Sequence, residues 1–184
     1  HYKNRKDLLL INFDKPVSQA SLYTKSSCPS VPVGWAKNNL KDKIRAIIVN
    51  SGNANAFTGR RGEADLDHIL EYVAEMLNCE KEEIAVSSTG VIGEFLNTKS
   101  IIDALSGTKL SKESSWLEAA EAIMTTDTFP KLSFKNFLID KSEINILGIA
   151  KGSGMIEPNM GTMLSYIFTD ANVDGSLLKS LLSD

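Results

Sequence analysis

A threonine and a lysine in the last quarter of the chain are the residues best suited to carry chemistry. Thr162 follows Gly161 at the start of an apolar run, and Lys151 opens a glycine-rich loop. One interpretation is that Thr162 only begins a strand, since β-branched residues favour strands. The other is self-cleavage, in which the Thr162 hydroxyl attacks the Gly161 carbonyl, the amide becomes an ester, and water releases a new chain. The freed α-amino group of Thr162 would then activate its own hydroxyl as a nucleophile.

Four ordered segments favour the second interpretation. They read NSGNANA at 50–56, STGVIG at 88–93, MTTDT at 124–128, and KGSGMI, PNM and TML between 151 and 164. In content and order these segments resemble the ornithine acetyltransferase family, also called the glutamate N-acetyltransferase (ArgJ) family. Gly161 stands where the family usually has alanine before the cleaved bond. The resemblance covers nearly the whole chain.

The resemblance assigns a role to each candidate residue. It implies that Thr162 is the nucleophile, that Thr89 and Gly90 form an oxyanion hole, and that Thr125, Lys151 and Thr162 contact substrate. Such a site needs hydrogen-bond donors where a carbonyl oxygen becomes an oxyanion, and a hydroxyl with a backbone N–H supplies two. A cation such as Lys151 suits the carboxylate of an amino-acid substrate.

Plainer roles remain open for the same segments. Thr89 and Gly90 could form only a turn, and the hydroxyls around Thr125 could satisfy the last carbonyls of a helix. A lysine beside glycines is commonly exposed. The asparagines of residues 50–56 could make an ordinary turn, since Asn and Gly accept left-handed backbone geometry, or organise the floor of a polar pocket near the site.

The activity implied by the resemblance is a double displacement. N-acetylornithine acetylates Thr162, ornithine leaves, and glutamate takes the acetyl group, which is a step of arginine biosynthesis. The chemistry requires no metal and no cofactor, although some family members also use acetyl-CoA. Two alternatives remain: an amidase or aminopeptidase with the same N-terminal threonine, and an inactive truncated subunit.

The resemblance also implies an incomplete chain. Residues 1–161 correspond to an α-chain portion and residues 162–184 to the start of a β-chain portion. Family members begin before His1 and continue well past Asp184, with further substrate contacts in the continuation. We therefore expect the β-chain portion of the same precursor as a partner, in a heterotetramer of two α and two β chains.

Composition limits the other function classes. The chain has 184 residues, 42% of them hydrophobic and 23% charged, with a net charge of -3. These values are ordinary for a globular domain and give no basic surface for nucleic acid. No apolar run approaches the roughly 20 residues that span a bilayer. We therefore expect no nucleic-acid or membrane partner, and a cytoplasmic location, or the mitochondrial matrix for a fungal or similar source.

The cysteines and histidines give no metal pattern. Cys28 and Cys79 lie far apart without a CxxC spacing, which predicts two free thiols. His1 is terminal and His68 falls on a predicted helix. An enzyme built from this chain must therefore work without histidine, and an N-terminal threonine meets that condition.

Hydrophobic spacing predicts a single α/β domain fragment. The predicted strands are residues 7–13, 20–24, 44–49, 84–88, 132–139, 144–150 and 163–169, and the predicted helices are 64–77, 101–105, 111–124 and 176–182. Pro16 should end the first strand, Pro29 and Pro32 should keep their connection irregular, and Ser111 should cap the third helix. The alternation suggests mixed sheets covered by helices. The resemblance implies a layered αββα-type sandwich of the self-cleaving N-terminal-threonine kind.

Overall fold

The protein, in a computed structural model, is described over residues 5–108, 110, 114–153 and 163–183. Six strands form two three-stranded sheets in this part of the chain. The strands are β1 (Leu8–Ser18), β2 (Lys43–Asn53), β3 (Ile84–Val91), β4 (Lys131–Ile139), β5 (Ser142–Lys151) and β6 (Leu164–Thr169). The helices are α1 (Val31–Asn39), α2 (Gly59–Leu77), α3 (Thr98–Ser106), α4 (Trp116–Ala122) and α5 (Gly175–Ser183). No helix within these ranges is long and apolar enough to cross a membrane.

The first sheet has the order β1-β2-β3, with β1 antiparallel and β3 parallel to the central β2. A parallel pair needs a crossover connection, and α2 supplies it between β2 and β3. This helix confirms the prediction at 64–77, although it begins earlier. It ends at Asn78, whose φ of 50° is the left-handed conformation that commonly terminates helices. Its buried stripe is the predicted one: Leu66, Ile69, Leu70, Val73 and Leu77.

The second sheet has the order β4-β5-β6 and is entirely antiparallel. Strands β4 and β5 form the predicted hairpin, in which Ile139 pairs with Ser142. The two turn residues, Asp140 and Lys141, both have positive φ, as a two-residue hairpin turn requires. Strand β6 then pairs with β5, so that Leu164 lies opposite Lys151.

The two sheets face each other across an apolar cluster. Successive side chains of a strand point to opposite faces, so Ile48 joins the cluster beneath α2 while Val49 joins the cluster between the sheets. Ile149 of β5 belongs to the same cluster as Val49, and α4 adds Ala119 and Ala120 to it. The layers are therefore helices, first sheet and second sheet, with α4 packed into the inter-sheet core.

Two predicted segments between residues 20 and 40 are wrong. Residues 20–24 form no strand. The last residue pair between β1 and β2 is Ser18 with Lys43, and Lys43 is the first residue of β2, so residues after Ser18 have no β2 residue to pair with. The connection around Pro32 is not irregular but contains α1. Pro32 lies in the first turn of that helix, where a residue without an N–H loses no helical hydrogen bond.

Other boundaries also differ from the predicted ones. Strand β1 continues past Pro16, which lies where the register with β2 shifts and a missing N–H is tolerated. Helix α3 is longer than predicted, beginning at Thr98 after the cap Asn97. Helix α4 is shorter than predicted. It begins at Trp116, because Ser115 and Glu118 form a reciprocal capping box, with N–H···O distances of 3.2 and 3.0 Å. The predicted cap Ser111 lies outside the described residues.

Candidate active site

A buried lysine lies at the end of β5, between the two sheets. Ile149 faces the inter-sheet core, and Lys151, two residues further along the strand, points to the same side. Only 5% of Lys151 is exposed. Its ammonium donates hydrogen bonds to the Thr89 hydroxyl at 3.0 Å and to the Thr125 hydroxyl at 2.8 Å. Three candidate residues from separate parts of the sequence therefore meet in one site.

Thr89 and Gly90 lie inside β3 rather than in a loop after it, which corrects the prediction of a strand ending at Ser88. The strand continues because β2 also extends to Asn53 and keeps pairing with it. Gly90 has a φ of +135°, and a Cβ at this position would lie 2.2 Å from the Gly52 carbonyl carbon and 2.5 Å from the Asn53 nitrogen. The close approach of β2 therefore requires glycine here. Thr89 itself is buried.

Thr125 lies just after α4 and is held through its backbone. Its N–H donates to the Asp127 carboxylate at 3.2 Å, and its carbonyl accepts from the Arg5 guanidinium at 3.3 Å. The same guanidinium also donates to the Met124 carbonyl. These contacts leave the Thr125 hydroxyl directed at Lys151.

Asp127 is a site residue to which the sequence assigned no role of its own. Its side chain is fully buried and accepts from Lys131 at 2.6 Å and from the backbone N–H of Gly152 at 2.8 Å, in addition to Thr125. Burial alone would raise the pKa of this carboxyl, but the hydrogen bonds from Lys131, Gly152 and Thr125 outweigh burial and lower the pKa from 3.8 to about 2. The sequence signal that could have indicated this role is the position of Asp127 directly after two threonines and four residues before Lys131.

Burial and charged side chains of both signs act on Lys151. Burial is the main cause that lowers the pKa of Lys151 below 10.5, and the nearby cations Lys131 and Arg5 lower it further, while Asp127 opposes them. Within the part of the chain that the structure describes, two cations and one carboxylate therefore act on the Lys151 ammonium. A buried ammonium favours a bound anion over a second cation.

The asparagine-rich segment 50–56 forms the frame around the site. Asn50 accepts from the Ser88 hydroxyl at 2.5 Å, and Asn53 donates to the carbonyls of Glu94 and Phe95 at 3.0 and 3.2 Å. The Ser51 hydroxyl donates to the carbonyl of Ala122, the last residue of α4, at 2.8 Å. The described contacts therefore tie the end of β2 to the segments that carry Thr89 and Thr125. Placement in the substrate pocket stays a prediction for the asparagines.

Both ends of the glycine-rich loop lie beside Lys151. Gly152 has a φ of +143°, and a Cβ there would lie 3.3 Å from Cγ of Met163. The Thr126 and Ser153 hydroxyls are 3.1 Å apart at the same place. Gly161 and Thr162, the predicted cleavage pair, lie outside the described residues. The residue that directly follows Thr162 in the sequence, Met163, nevertheless lies at the site.

The cysteines lie apart from this site. Cys28 is exposed, Cys79 is half-buried, and both are free thiols. Among the residues that the structure describes, no group of three His, Cys, Asp or Glu side chains could hold a metal ion.

Two facing sheets, a helical layer and a lysine held between threonines define a layered α/β domain with a polar site at the strand ends. The model of the ArgJ family matches residues 1–184, and the chain belongs to that family. It is 51% identical over 185 residues to the arginine biosynthesis bifunctional protein ArgJ of Bartonella henselae and 48% identical over 184 residues to the ArgJ of Agrobacterium fabrum. These matches cover 100% and 99% of this chain but 45% of each relative, so the chain spans less than half of their length.

Solved structures show the same fold. The crystal structure of the ArgJ protein of Bacillus halodurans superimposes with a TM-score of 0.79 at 36% identity, covering 88% of this chain and 85% of the other. The ornithine acetyltransferase of Mycobacterium tuberculosis, complexed with ornithine, superimposes with a TM-score of 0.66 at 29% identity, covering 86% and 84%. The predicted family and fold class are therefore confirmed.

Proposed function

We propose that this chain is the self-cleaving portion of a glutamate N-acetyltransferase, which moves an acetyl group from N-acetylornithine to glutamate through an ester on Thr162. The observation that carries the proposal is the meeting of Lys151, Thr89 and Thr125 between the sheets, beside Met163. Family membership over the full chain supports it. The M. tuberculosis relative, an ornithine acetyltransferase in complex with ornithine, supports it further.

The contact between Lys151 and Thr89 suits an oxyanion hole. An ammonium can only donate, so the Thr89 oxygen accepts in this contact and its own hydrogen remains for another acceptor. The Thr162 hydroxyl would attack the acetyl carbonyl, the ornithine amine would leave with a proton, and the oxyanion would accept from Thr89 and from the backbone N–H of Gly90. Attack by the amine of glutamate would then return the free Thr162 hydroxyl.

The positive charge of the buried Lys151 suits an amino-acid carboxylate. Both proposed substrates, N-acetylornithine and glutamate, carry an α-carboxylate, so one cation can serve both half-reactions. The Lys151 ammonium would pair with this carboxylate. The Thr125 hydroxyl oxygen, 2.8 Å from Lys151 Nζ, would hold the ammonium in the direction of the carboxylate. Burial strengthens such a pair, because water competes less for the charges.

The same proposal includes maturation by cleavage between Gly161 and Thr162. The full-length relatives are more than twice as long as the matched region, whereas the matched chains of the two solved structures are covered to 85% and 84%. This difference is what cleavage of a precursor near the end of the region would produce. The proposed assembly is two α and two β chains, and the proposed location is the cytoplasm.

An acetyl-labelling experiment tests the function. The full-length precursor is expressed, and intact-mass analysis should show two chains, the second beginning at Thr162. Incubation with N-acetylornithine alone should add one acetyl group to that second chain, and glutamate should remove it as N-acetylglutamate. The matched control, Thr162→Ala, should remain one unlabelled chain.

Two outcomes would contradict the proposal. Cleaved Thr162→Ala protein would refute self-cleavage by this hydroxyl. Rapid release of free acetate without glutamate would instead indicate an amidase or hydrolase built on the same nucleophile, because water would then be the acceptor.

A further inference from the structure

Asp127 joins the two segments that carry Thr125 and Lys151. Its Oδ2 accepts from the Thr125 N–H, and its Oδ1 accepts from the Gly152 N–H and from Lys131. Thr125 is itself a site residue, and Gly152 directly follows Lys151 in the sequence. The carboxylate therefore bridges the chain on both sides of the contact between Lys151 and Thr125.

We propose that Asp127 is a positioning residue for acyl transfer: it fixes Thr125 and the start of the glycine-rich loop so that Lys151, Thr125 and Thr89 stay in one geometry. This inference rests on the proposed function. It assigns Asp127 no contact with substrate. Asp127 acts by holding Lys151, Thr125 and Thr89 in position.

The backbone at Gly152 shows why an anchor is needed there. A φ of +143° is open mainly to glycine, which is also the residue with the most conformational freedom to lose. A hydrogen bond from the Gly152 N–H to a buried carboxylate selects this one conformation. The same conformation brings Met163 against Gly152 and so brings the two ends of the loop together.

A second explanation would be that Asp127 only balances positive charge. Asparagine separates the two, because it has nearly the same shape but one acceptor and one NH₂ donor. In Asp127→Asn the single amide oxygen can accept from the Gly152 N–H or from the Thr125 N–H. The NH₂ group then faces the other backbone N–H, and two donors cannot form a hydrogen bond. Lys131→Gln is the complementary variant, since it removes the charge pair and keeps both backbone hydrogen bonds.

The experiment measures single-turnover acetylation of Thr162 in the cleaved full-length protein, per site that accepts label. We expect Asp127→Asn to lower the maximal rate constant about 10- to 100-fold, the scale of a small misplacement of reacting groups. Lys131→Gln should change it by less than about 3-fold on the same reasoning, because the backbone anchors remain. Asp103→Asn should match the parent, because Asp103 is an exposed partner of Lys99 on α3, away from the site.

Each result decides the question. A parental rate per labelled site in Asp127→Asn overturns the inference, and a loss in Lys131→Gln equal to that in Asp127→Asn assigns Asp127 to charge balance instead. If Asp127→Asn yields no folded protein, Asp127→Glu keeps the charge and both acceptors but moves them by one methylene. A rate at least 10-fold below the parent supports positioning, and a parental rate overturns it. An unlabelled parent would overturn the proposed function together with this inference, whereas a labelled parent separates the two.

Discussion

Replacing the two threonines that contact Lys151 by valine gives a matched pair of perturbations. Thr89→Val and Thr125→Val each keep the β-branched shape and remove one hydroxyl from the Lys151 ammonium, at 3.0 and 2.8 Å. A hydrogen bond to a charged group contributes about 1.5–3 kcal/mol, and both variants should lose a similar part of this from the free energy of unfolding. Any difference between them in catalysis must therefore come from another role of the hydroxyl.

The expected difference follows from the role proposed for each hydroxyl, because both hydroxyls accept from Lys151 and both keep a hydrogen to donate. In the proposed oxyanion hole the Thr89 hydroxyl donates to the oxyanion, so Thr89→Val should lower the maximal rate of Thr162 acetylation by about 10²- to 10³-fold, or roughly 3–4 kcal/mol of activation free energy. Thr125 would contact the substrate equally in the ground and transition states. Thr125→Val should therefore raise the half-saturating concentration of N-acetylornithine and lower the maximal rate much less.

The assay is stopped-flow or rapid-quench acetylation at several N-acetylornithine concentrations, with product measured by intact mass. Only cleaved chains are counted, because a damaged oxyanion hole can also slow self-cleavage. Urea unfolding of both variants checks that their losses of stability are similar. Equal effects of the two substitutions on the maximal rate would refute the division of labour between Thr89 and Thr125.

Three further perturbations concern backbone, charge and acid. Gly90→Ala should lower the free energy of unfolding by about 3 kcal/mol or more, because its Cβ would overlap the Gly52 backbone. The control is Gly93→Ala, which also has a positive φ, +84°, but open space around its Cβ, so it should show only the cost of the backbone conformation. Thermal unfolding of both variants measures the difference. Burial lowers the pKa of Lys151 below 10.5, so kcat/KM should fall at alkaline pH as Lys151 loses its proton. In Lys151→Arg this fall should move to higher pH, because arginine keeps its charge. The low pKa of Asp127 stabilises the folded state above pH 3.8, and this stability is lost as pH falls towards about 2. The difference in unfolding free energy between the parent and Asp127→Asn should therefore shrink by about 2 kcal/mol between pH 5 and pH 2, measured by urea unfolding.

The elements with strong local patterns could be predicted from the sequence. Helix α2 repeats apolar residues at helical spacing, and the β4–β5 hairpin has two alternating runs around a polar turn, so neighbouring residues alone determine both. Prolines misled the prediction twice. Pro32 fits the first turn of α1, and Pro16 lies at a register shift of β1; both exceptions depend on where the partner groups lie.

The candidate site could be predicted only in part from the sequence. The resemblance pointed to Lys151, Thr89 and Thr125, and the structure brings these three together. It could not assign Asp127, because the role of this residue depends on the Gly152 N–H, 25 residues away. Glycine contributes no side-chain signal to such a contact. Long-range hydrogen bonds to backbone groups leave almost no trace in one sequence.

The position of Lys151 explains why both sheets are needed to form this site. A lysine inside an apolar core would lose its charge unless hydrogen-bond acceptors surrounded it. Strand β5 brings the lysine, β3 of the other sheet brings Thr89, and the segment after α4 brings Thr125, so each sheet alone would leave the ammonium with fewer acceptors. The apolar cluster that includes Val49 and Ile149 holds the sheets at the separation where these groups meet. The inter-sheet core therefore also sets the geometry of the site. Asp127 anchors the backbone of Thr125 and Gly152 there, and Gly90 allows the close approach of β2 to β3.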